Sequence, residues 1–539
     1  MKSITLLLRN SALTLLCAAA ALAADDRWIS LEKGSITIVT NAGEKAGRLA
    51  FNQMEQLRFT LGQTLGKPDA QSLWPIRIVL YKPGKQAVVD PTVKLARDHY
   101  VASITELGLQ TREDLARIFL ESNAGRMPAA IENGIIELFS ILEVDGPKVT
   151  LGATPAQKDR DWSRVHMLSV KDAYRGRLRV LIYNLQRGVD EDAAYRNAFE
   201  KSRSQIEQEL DQYILAGNYE TTRLSGEPLD PRRELIAKPA DANLVAIAEA
   251  DVLAAHGDPG AKAAYEKLKP KPEAFEGLGD YEAAIKAGSE SARAWLEFGR
   301  QDRDALARKA ELAKAAELNP RWAEPNIVLA EHEAFPLQRV QLLKTAAQLA
   351  PRESSVWRLL AEAQEDADLY VDAGKSWGDA ERAAATPQER DKMHQQRIAE
   401  DNRRLDATKK AKDDDKRKQA DDLKDLQNRA LRDIRAFEAK ANAGQAPRDP
   451  NEKLDYYREG PELPKTSGML TRVDCQGLKA KLYIDTADGK KVTFMVNDPK
   501  NLIIGKSGNL SLDCGPQNPP RRVVIEHTDK REVKTIEFH

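Results

Sequence analysis

The chain has 539 residues, 42% hydrophobic and 31% charged. At roughly 150 residues per domain it holds three or four units, with enough apolar content for a large core. Lysine and arginine total 82 against 83 for aspartate and glutamate, which excludes a globally basic nucleic-acid binder. No internal apolar run approaches the roughly 18 residues of a membrane span.

Lys2 and Arg9 are the only charges in the first 23 residues, and an Ala/Leu-rich stretch ends in Ala21-Leu22-Ala23. This order of basic, apolar and small-residue segments predicts a secretory signal over 1–23 and an exported protein, periplasmic or extracellular. An uncleaved anchor is the alternative, and the short apolar part argues against it. Loss of the two charges gives −1 − 2 = −3. Cys17 leaves with the signal. The remaining Cys475 and Cys514 are expected to form one disulfide, with two buried thiols as the alternative.

Residues 24–222 read as a mixed α/β domain. Ser35–Thr40 alternates as a half-buried strand, and Asn41-Ala42-Gly43 breaks it. Leu49, Met54, Leu57, Leu61 and Leu65 then share a helical stripe. Pro75–Tyr81 is a second strand. Helices are expected near 112–122, with Thr111 as cap, near 129–142, and as one piece over 190–216. His99 beside Asp98 is weighed as a catalytic pair and read as structural.

Residues 236–396 are helical and quasi-repetitive. Pro320 and Pro351 stand 31 apart and close similar phrases, Ala315–Pro320 and Ala346–Pro351; Pro387 lies 36 further on. Trp295 and Trp357 open helices. The pattern resembles tetratricopeptide repeats, in which small Ala positions mark helix contacts and Pro ends the second helix of each pair. An irregular helical bundle is the alternative. A long charged helix is predicted over 397–443, with Leu423, Leu426, Ala430, Ile434, Phe437 and Ala441 at helical spacing. Either this helix is a coiled-coil or partner-binding element, or its C-terminal half docks on its own chain. A Pro-rich linker spans 444–465. Short alternating strands over 466–539 predict a small antiparallel β-barrel or sandwich, with Cys475 ending its first strand and Cys514 its fourth. The fold class is therefore multidomain α+β.

The phrase Asn123–Ser140, N-A-G-R-M-P-A-A-I-E-N-G-I-I-E-L-F-S, resembles the secreted peptidase MA-like proteins, gluzincin-type zinc peptidases that carry tetratricopeptide repeats. In that family the stretch reads N-x-x-R-L-P-x-W-L-N-E-G-L-A-E-F-x-S. The strand-turn Ser35–Gly43 and the segment Arg179–Leu185 fit it loosely, so the likeness covers about 200 residues. It implies an α/β peptidase fold whose zinc needs two His at i and i+4, a Glu base between them and a third ligand on the next helix. Counting back from Asn123, the two His positions fall on Glu113 and Arg117, the base on Asp114 and the third ligand on Asn133. Arg117 has no lone pair to offer a metal. The resemblance with these departures implies a pseudopeptidase with no metal, no cofactor and no catalysis, in which Glu113 and Arg117 pair across the vacated position.

The expected function is therefore a non-catalytic interaction scaffold that binds protein or peptide partners through the repeats, with no nucleic acid and no membrane span after cleavage; the sequence does not specify an oligomeric state. Two alternatives stand. One is a zinc metallopeptidase in which scattered histidines converge, with Glu137 or Asp114 as base. The other is cell-wall carbohydrate binding by the β domain through Tyr483, Phe494 and Phe538.

Overall fold

The computed structural model describes residues 27–84, 90–301, 304–444, 462–477, 479–498, 502–505 and 512–539. The predicted signal and most of the predicted linker lie outside these residues. The chain divides into two compact units, Met1–Asp422 and Leu423–His539.

The first unit is built on a six-stranded mixed sheet. Strands β1 (Ile29–Lys33), β2 (Ile36–Thr40), β3 (Ile76–Leu80), β4 (Asp90–Leu95) and β5 (Tyr100–Ile104) are joined by the two-residue β9 (Lys238–Pro239) in the order β4-β5-β3-β2-β1-β9. The central β2, β3 and β5 are parallel; β1 and β4 run against their neighbours. Parallel neighbours require a crossover, and α1 (Glu44–Leu65) supplies it between β2 and β3. Its buried Phe51, Met54, Leu57 and Leu61 cover one face of the sheet together with Ile38, Ile78 and Ala102. Gly66 ends α1 at φ 73°, a left-handed position that costs a side-chain-bearing residue energy.

Helices α2 (Leu109–Asn123) and α3 (Ala129–Ser140) follow β5, and a small antiparallel sheet of β6 (Glu143–Asp145), β7 (Lys148–Leu151) and β8 (Thr222–Ser225) flanks them. The cap of α2 differs from expectation. The helix starts at Leu109 behind Gly108, and Thr111 Oγ1 donates instead to Pro91 O at 2.8 Å. After α4 (Arg160–Val170) and α5 (Leu178–Gln186), the single helix expected over 190–216 is two: α6 (Glu191–Phe199) and α7 (Arg203–Ala216). Glu200 turns left-handed at φ 60°, and Ser202 with Gln205 forms a reciprocal capping box that restarts the helix.

The other sheet face is covered by α9 (Ala242–Ala255), which follows the short α8 (Pro231–Glu234). Its Ala248 and Val252 pack on Val79, Tyr81, Ala96 and Val101. Four short or medium helices come next: α10 (Gly260–Glu266), α11 (Pro272–Gly277), α12 (Tyr281–Lys286) and α13 (Ala292–Gln301). Then come α14 (Ala305–Leu318), α15 (Glu324–Glu331), α16 (Pro336–Leu349), α17 (Ser354–Asp366) and α18 (Tyr370–Ala383). From α13 onward they form a tetratricopeptide-like series of helix pairs. Helices α14, α16 and α18 are each 14 residues long, and each buries its eighth residue, Leu312, Leu343 or Trp377, and an Ala at its eleventh, 315, 346 or 380. The first helices open alike: Trp295 Nε1 donates to Ser289 O at 3.0 Å, and Trp357 Nε1 to Pro351 O at 3.1 Å.

Helix α19 runs from Pro387 to Ala441, ten residues earlier at its start than the sequence predicts. Met393 and Glu400 are buried at its base. From Asp406 to Gly444 every side chain described is exposed.

In the second unit, β10 (Lys465–Gln476), β11 (Lys479–Thr486), β12 (Lys491–Val496), β13 (Ile503–Gly505), β14 (Gly515–His527) and β15 (Val533–Phe538) form one sheet in the order β12-β11-β10-β14-β15-β13. All neighbours are antiparallel except β13 and β15. The sheet curls until Met495 of β12 bridges Glu532 ahead of β15, so it is one curled sheet and not a two-sheet sandwich. Cys475 and Cys514 form the disulfide, with Cα atoms 5.7 Å apart. Cys514 leads into β14 rather than ending a strand; the strand expected at 510–512 lies largely outside the described residues. Phe494 and Phe538 sit in this unit's core, which leaves Tyr483 alone of the three aromatics considered for carbohydrate.

Candidate functional site

The four positions matched to a zinc site lie on α2 and α3, which pack against each other. Glu113 and Arg117 are one helical turn apart on α2, but no ion pair within 4 Å joins them among the described residues, and Arg117 is exposed. The pairing expected across the vacated position is therefore absent. Asp114, at the base position, turns the other way. Its Oδ2 accepts Val93 N at 2.8 Å and its Oδ1 accepts Gln110 Nε2 at 3.1 Å, so it fastens α2 to strand β4. Asn133 is exposed, with Nδ2 3.5 Å from Asp161 Oδ2.

The acid of this helix stands one place earlier. Glu132 accepts Arg352 through both oxygens at 2.8 Å and takes Met127 N at 2.7 Å. It is committed to holding the repeats. A guanidinium, an exposed amide and a carboxylate bonded to a strand do not fit a zinc site. Among the described residues, no three His, Cys, Asp or Glu lie together as metal ligands could.

What the fold does bring together is acidic. Glu137 of α3 stands close to Asp159, the residue whose Oδ1 caps α4 by accepting Trp162 N at 2.7 Å. Burial first, then Asp159, Asp161 and Glu113, push the Glu137 carboxyl up to about 7. Burial and neighbouring Asp114 raise the Glu113 carboxyl, against the pull of Arg117 and Arg112. The α3–α4 contact is close because residue 134 is glycine. A Cβ there would stand 2.3 Å from Asp161 O. Asp159 and Asp161 carry no motif of their own; the Asp-x-Asp run at a helix start was the only signal available in the sequence.

The Asp98–His99 pair is closed off. His99 Nδ1 faces Asp98, and Arg77 Nη2 donates to His99 Nε2 at 3.0 Å, which leaves no nitrogen for a substrate. Arg77 and Arg97 meet the fully buried Asp251 of α9, and Tyr265 Oη donates to the same carboxylate at 2.7 Å. This network joins the sheet to the helices behind it. The other histidines are spread over separate elements: His166 on α4 with Gly152 O, His256 after α9 with Val252 O, His332 after α15 and His394 on α19 beside Glu381 in the first unit, and His527 on β14 with Thr466 and His539 after β15 in the second. No two of the first unit's histidines share an element.

The repeats meet the α/β domain through the turns that follow each second helix. After α14, Arg321 donates to Ser72 O at 3.0 Å and Ser122 O at 2.9 Å, Asn319 Nδ2 to Leu73 O at 3.1 Å, and Trp322 packs edge-on against Trp74. After α16, Arg352 holds Glu132. At the end of α18, Ala383 O accepts Arg126 Nε at 2.9 Å. The opposite ends of these helices carry exposed apolar side chains. Leu306, Leu337 and Val371 each occupy the second position of α14, α16 and α18, and together with Phe335 they are 56–79% exposed.

Crevices open on this unit among the described residues. One of about 490 Å³ lies at the carboxyl ends of β2 and β3, between Arg27, Asn41, Gly43 and Lys82. One of about 290 Å³ lies between Arg126, Gln186, Arg187, Trp357 and Arg382. Neither includes Glu137.

No protein-family model matches the chain, and no curated protein matches it. Among solved structures similar to part of it are two of MamA. One is 18% identical over 25% of this chain and 93% of that one, with a TM-score of 0.21. The other is 16% identical over 25% of this chain and 80% of that one, with a TM-score of 0.19.

Proposed function

We propose that the chain is an exported, non-catalytic scaffold that binds protein or peptide partners through its helical repeats, on a zinc-peptidase-like domain that has lost its metal. One observation carries the reading. The repeats spend one set of turns on their own α/β domain, and the opposite helix ends expose a large apolar side chain at the same helix position in three successive pairs. Scattered exposed apolar residues need no explanation, but a row repeated by the architecture marks an interaction edge. A partner presenting apolar side chains along an extended or helical segment suits it.

The test is selection of peptides from a displayed library on the full chain, followed by affinity measurement. The expected result is peptides rich in apolar residues whose affinity falls at least tenfold in the Leu306→Asp/Leu337→Asp/Val371→Asp variant. Equal binding by that variant would remove the free edge from the proposal. Zinc content after dialysis against zinc separates the peptidase reading: less than one metal per ten chains is expected, and one tightly held zinc per chain would overturn the lost-site reading.

A further inference from the structure

The distal part of α19 carries an apolar stripe that repeats at eleven residues: Leu423 and Ile434, Leu426 and Phe437, Ala430 and Ala441. The register ends upstream, where Lys412, Asp415 and Gln419 hold the corresponding places. Leu423, Leu426, Ile434 and Phe437 are 58%, 67%, 53% and 77% exposed, and Leu431 beside them is exposed too. A free helix gains nothing by arranging large apolar residues on one face; the stripe is a seam. An eleven-residue repeat keeps such a seam straight or slightly right-handed over its 19 residues, about 28 Å.

We propose that this seam is closed by the same seam of a second copy of the chain, running antiparallel. Two features of the sequence choose that occupant and that direction. With the two-fold axis near Arg432, Leu423 faces Ala441 and Ala430 faces Ile434, so large meets small in each outer and inner layer, as interdigitated packing requires. Charge points the same way. Asp421, Asp422, Lys424 and Asp425 sum to −3 + 1 = −2, and Arg435, Glu438 and Lys440 to +2 − 1 = +1. Antiparallel pairing sets the acidic end against the basic end twice. Parallel pairing sets each end against its like, a repulsion that also opposes the helix dipoles. The seam is short, so the dimer is reversible and concentration-dependent.

The experiment is sedimentation equilibrium of the full chain, followed by distance measurement between spin labels. The chain is expected to pass from monomer to dimer with concentration, and the Leu426→Glu/Phe437→Glu variant to stay monomeric over the same range. A label at Ala420→Cys, in a Cys17→Ser background, leaves the charges and the seam intact. It should report about 36 Å along the antiparallel axis, against within about 20 Å for a parallel pair. A chain that stays monomeric, a dimer that survives the double variant, or a short label distance would each overturn the proposal.

Discussion

Arg352 and Glu132 form a two-bond ion pair, both N–O distances 2.8 Å, with side chains only 7% and 12% exposed. One partner belongs to the turn after a repeat helix and the other to α3. Removing one member of a buried pair strands the other charge, at a cost of about 3–5 kcal/mol. Arg352→Ala is therefore expected to lower stability by that amount in urea denaturation and to expose new protease cuts between the α/β domain and the repeats. Arg339→Ala breaks an exposed pair with Asp366 and should change stability by less than about 1 kcal/mol.

Glu137 offers a pH-dependent observable. Its carboxyl is raised from 4.5 to about 7, so the folded state binds a proton that the unfolded chain would release. Its contribution to stability is complete below about 4.5 and is lost as pH rises through 7. Asp159→Asn keeps an N-capping side chain while deleting the neighbouring charge. Carboxyl carbon NMR should follow a Glu137 midpoint near 7 in the parent and a lower one in that variant.

Glu400 is a second raised acid, at the base of α19. It is buried and shares Arg403 with Glu365, whose oxygens accept Trp377 Nε1 at 2.6 Å and Arg403 at 2.9 Å. Burial first and Glu365 second push it up to about 7, against the pull of Arg403. The sign is the same as for Glu137: stability falls as pH rises from 4.5 to 7. Glu400→Gln should raise the melting temperature of the first unit at pH 8 by a few degrees and leave it unchanged at pH 4.

The disulfide links residues 39 apart in sequence. Closing a loop of that length in the unfolded chain corresponds to about 4 kcal/mol in the chain-entropy treatment. Cys475→Ser/Cys514→Ser should weaken the β unit by that order. The loss should appear as an earlier transition for amides of β10 and β14 in hydrogen exchange under denaturant, with the repeats unaffected.

The repeats were legible because period survives in sequence. Pro320 and Pro351, and the Ala pairs before them, mark the ends and contacts of successive helices. The capping box at Ser202 and Gln205 was equally present, and the long apolar pattern across it hid the break. The expected Glu113–Arg117 pair had the right spacing, yet spacing places two side chains on one face without making them touch. Nor could spacing show that Asp114 faces strand β4 or that Glu132 reaches a residue 220 positions away. Those facts depend on how helices dock, which the local pattern does not encode.

The arginines after α14 and α16 carry a consequence for how such a chain can change over evolution. Open arrays of helix pairs lengthen or shorten by whole units, since each unit touches only its neighbours. Here Arg321 and Arg352 address different acceptors on one rigid template, carbonyls of Ser72 and Ser122 for the first and the Glu132 carboxylate for the second. Excising the 31-residue unit from Arg321 to Pro351 would leave a seamless helix series but set each later turn against the wrong acceptor. The tally of pairs in this stretch is fixed by the breadth of the domain beneath it, and tolerated insertions should fall in the turns at the opposite helix ends.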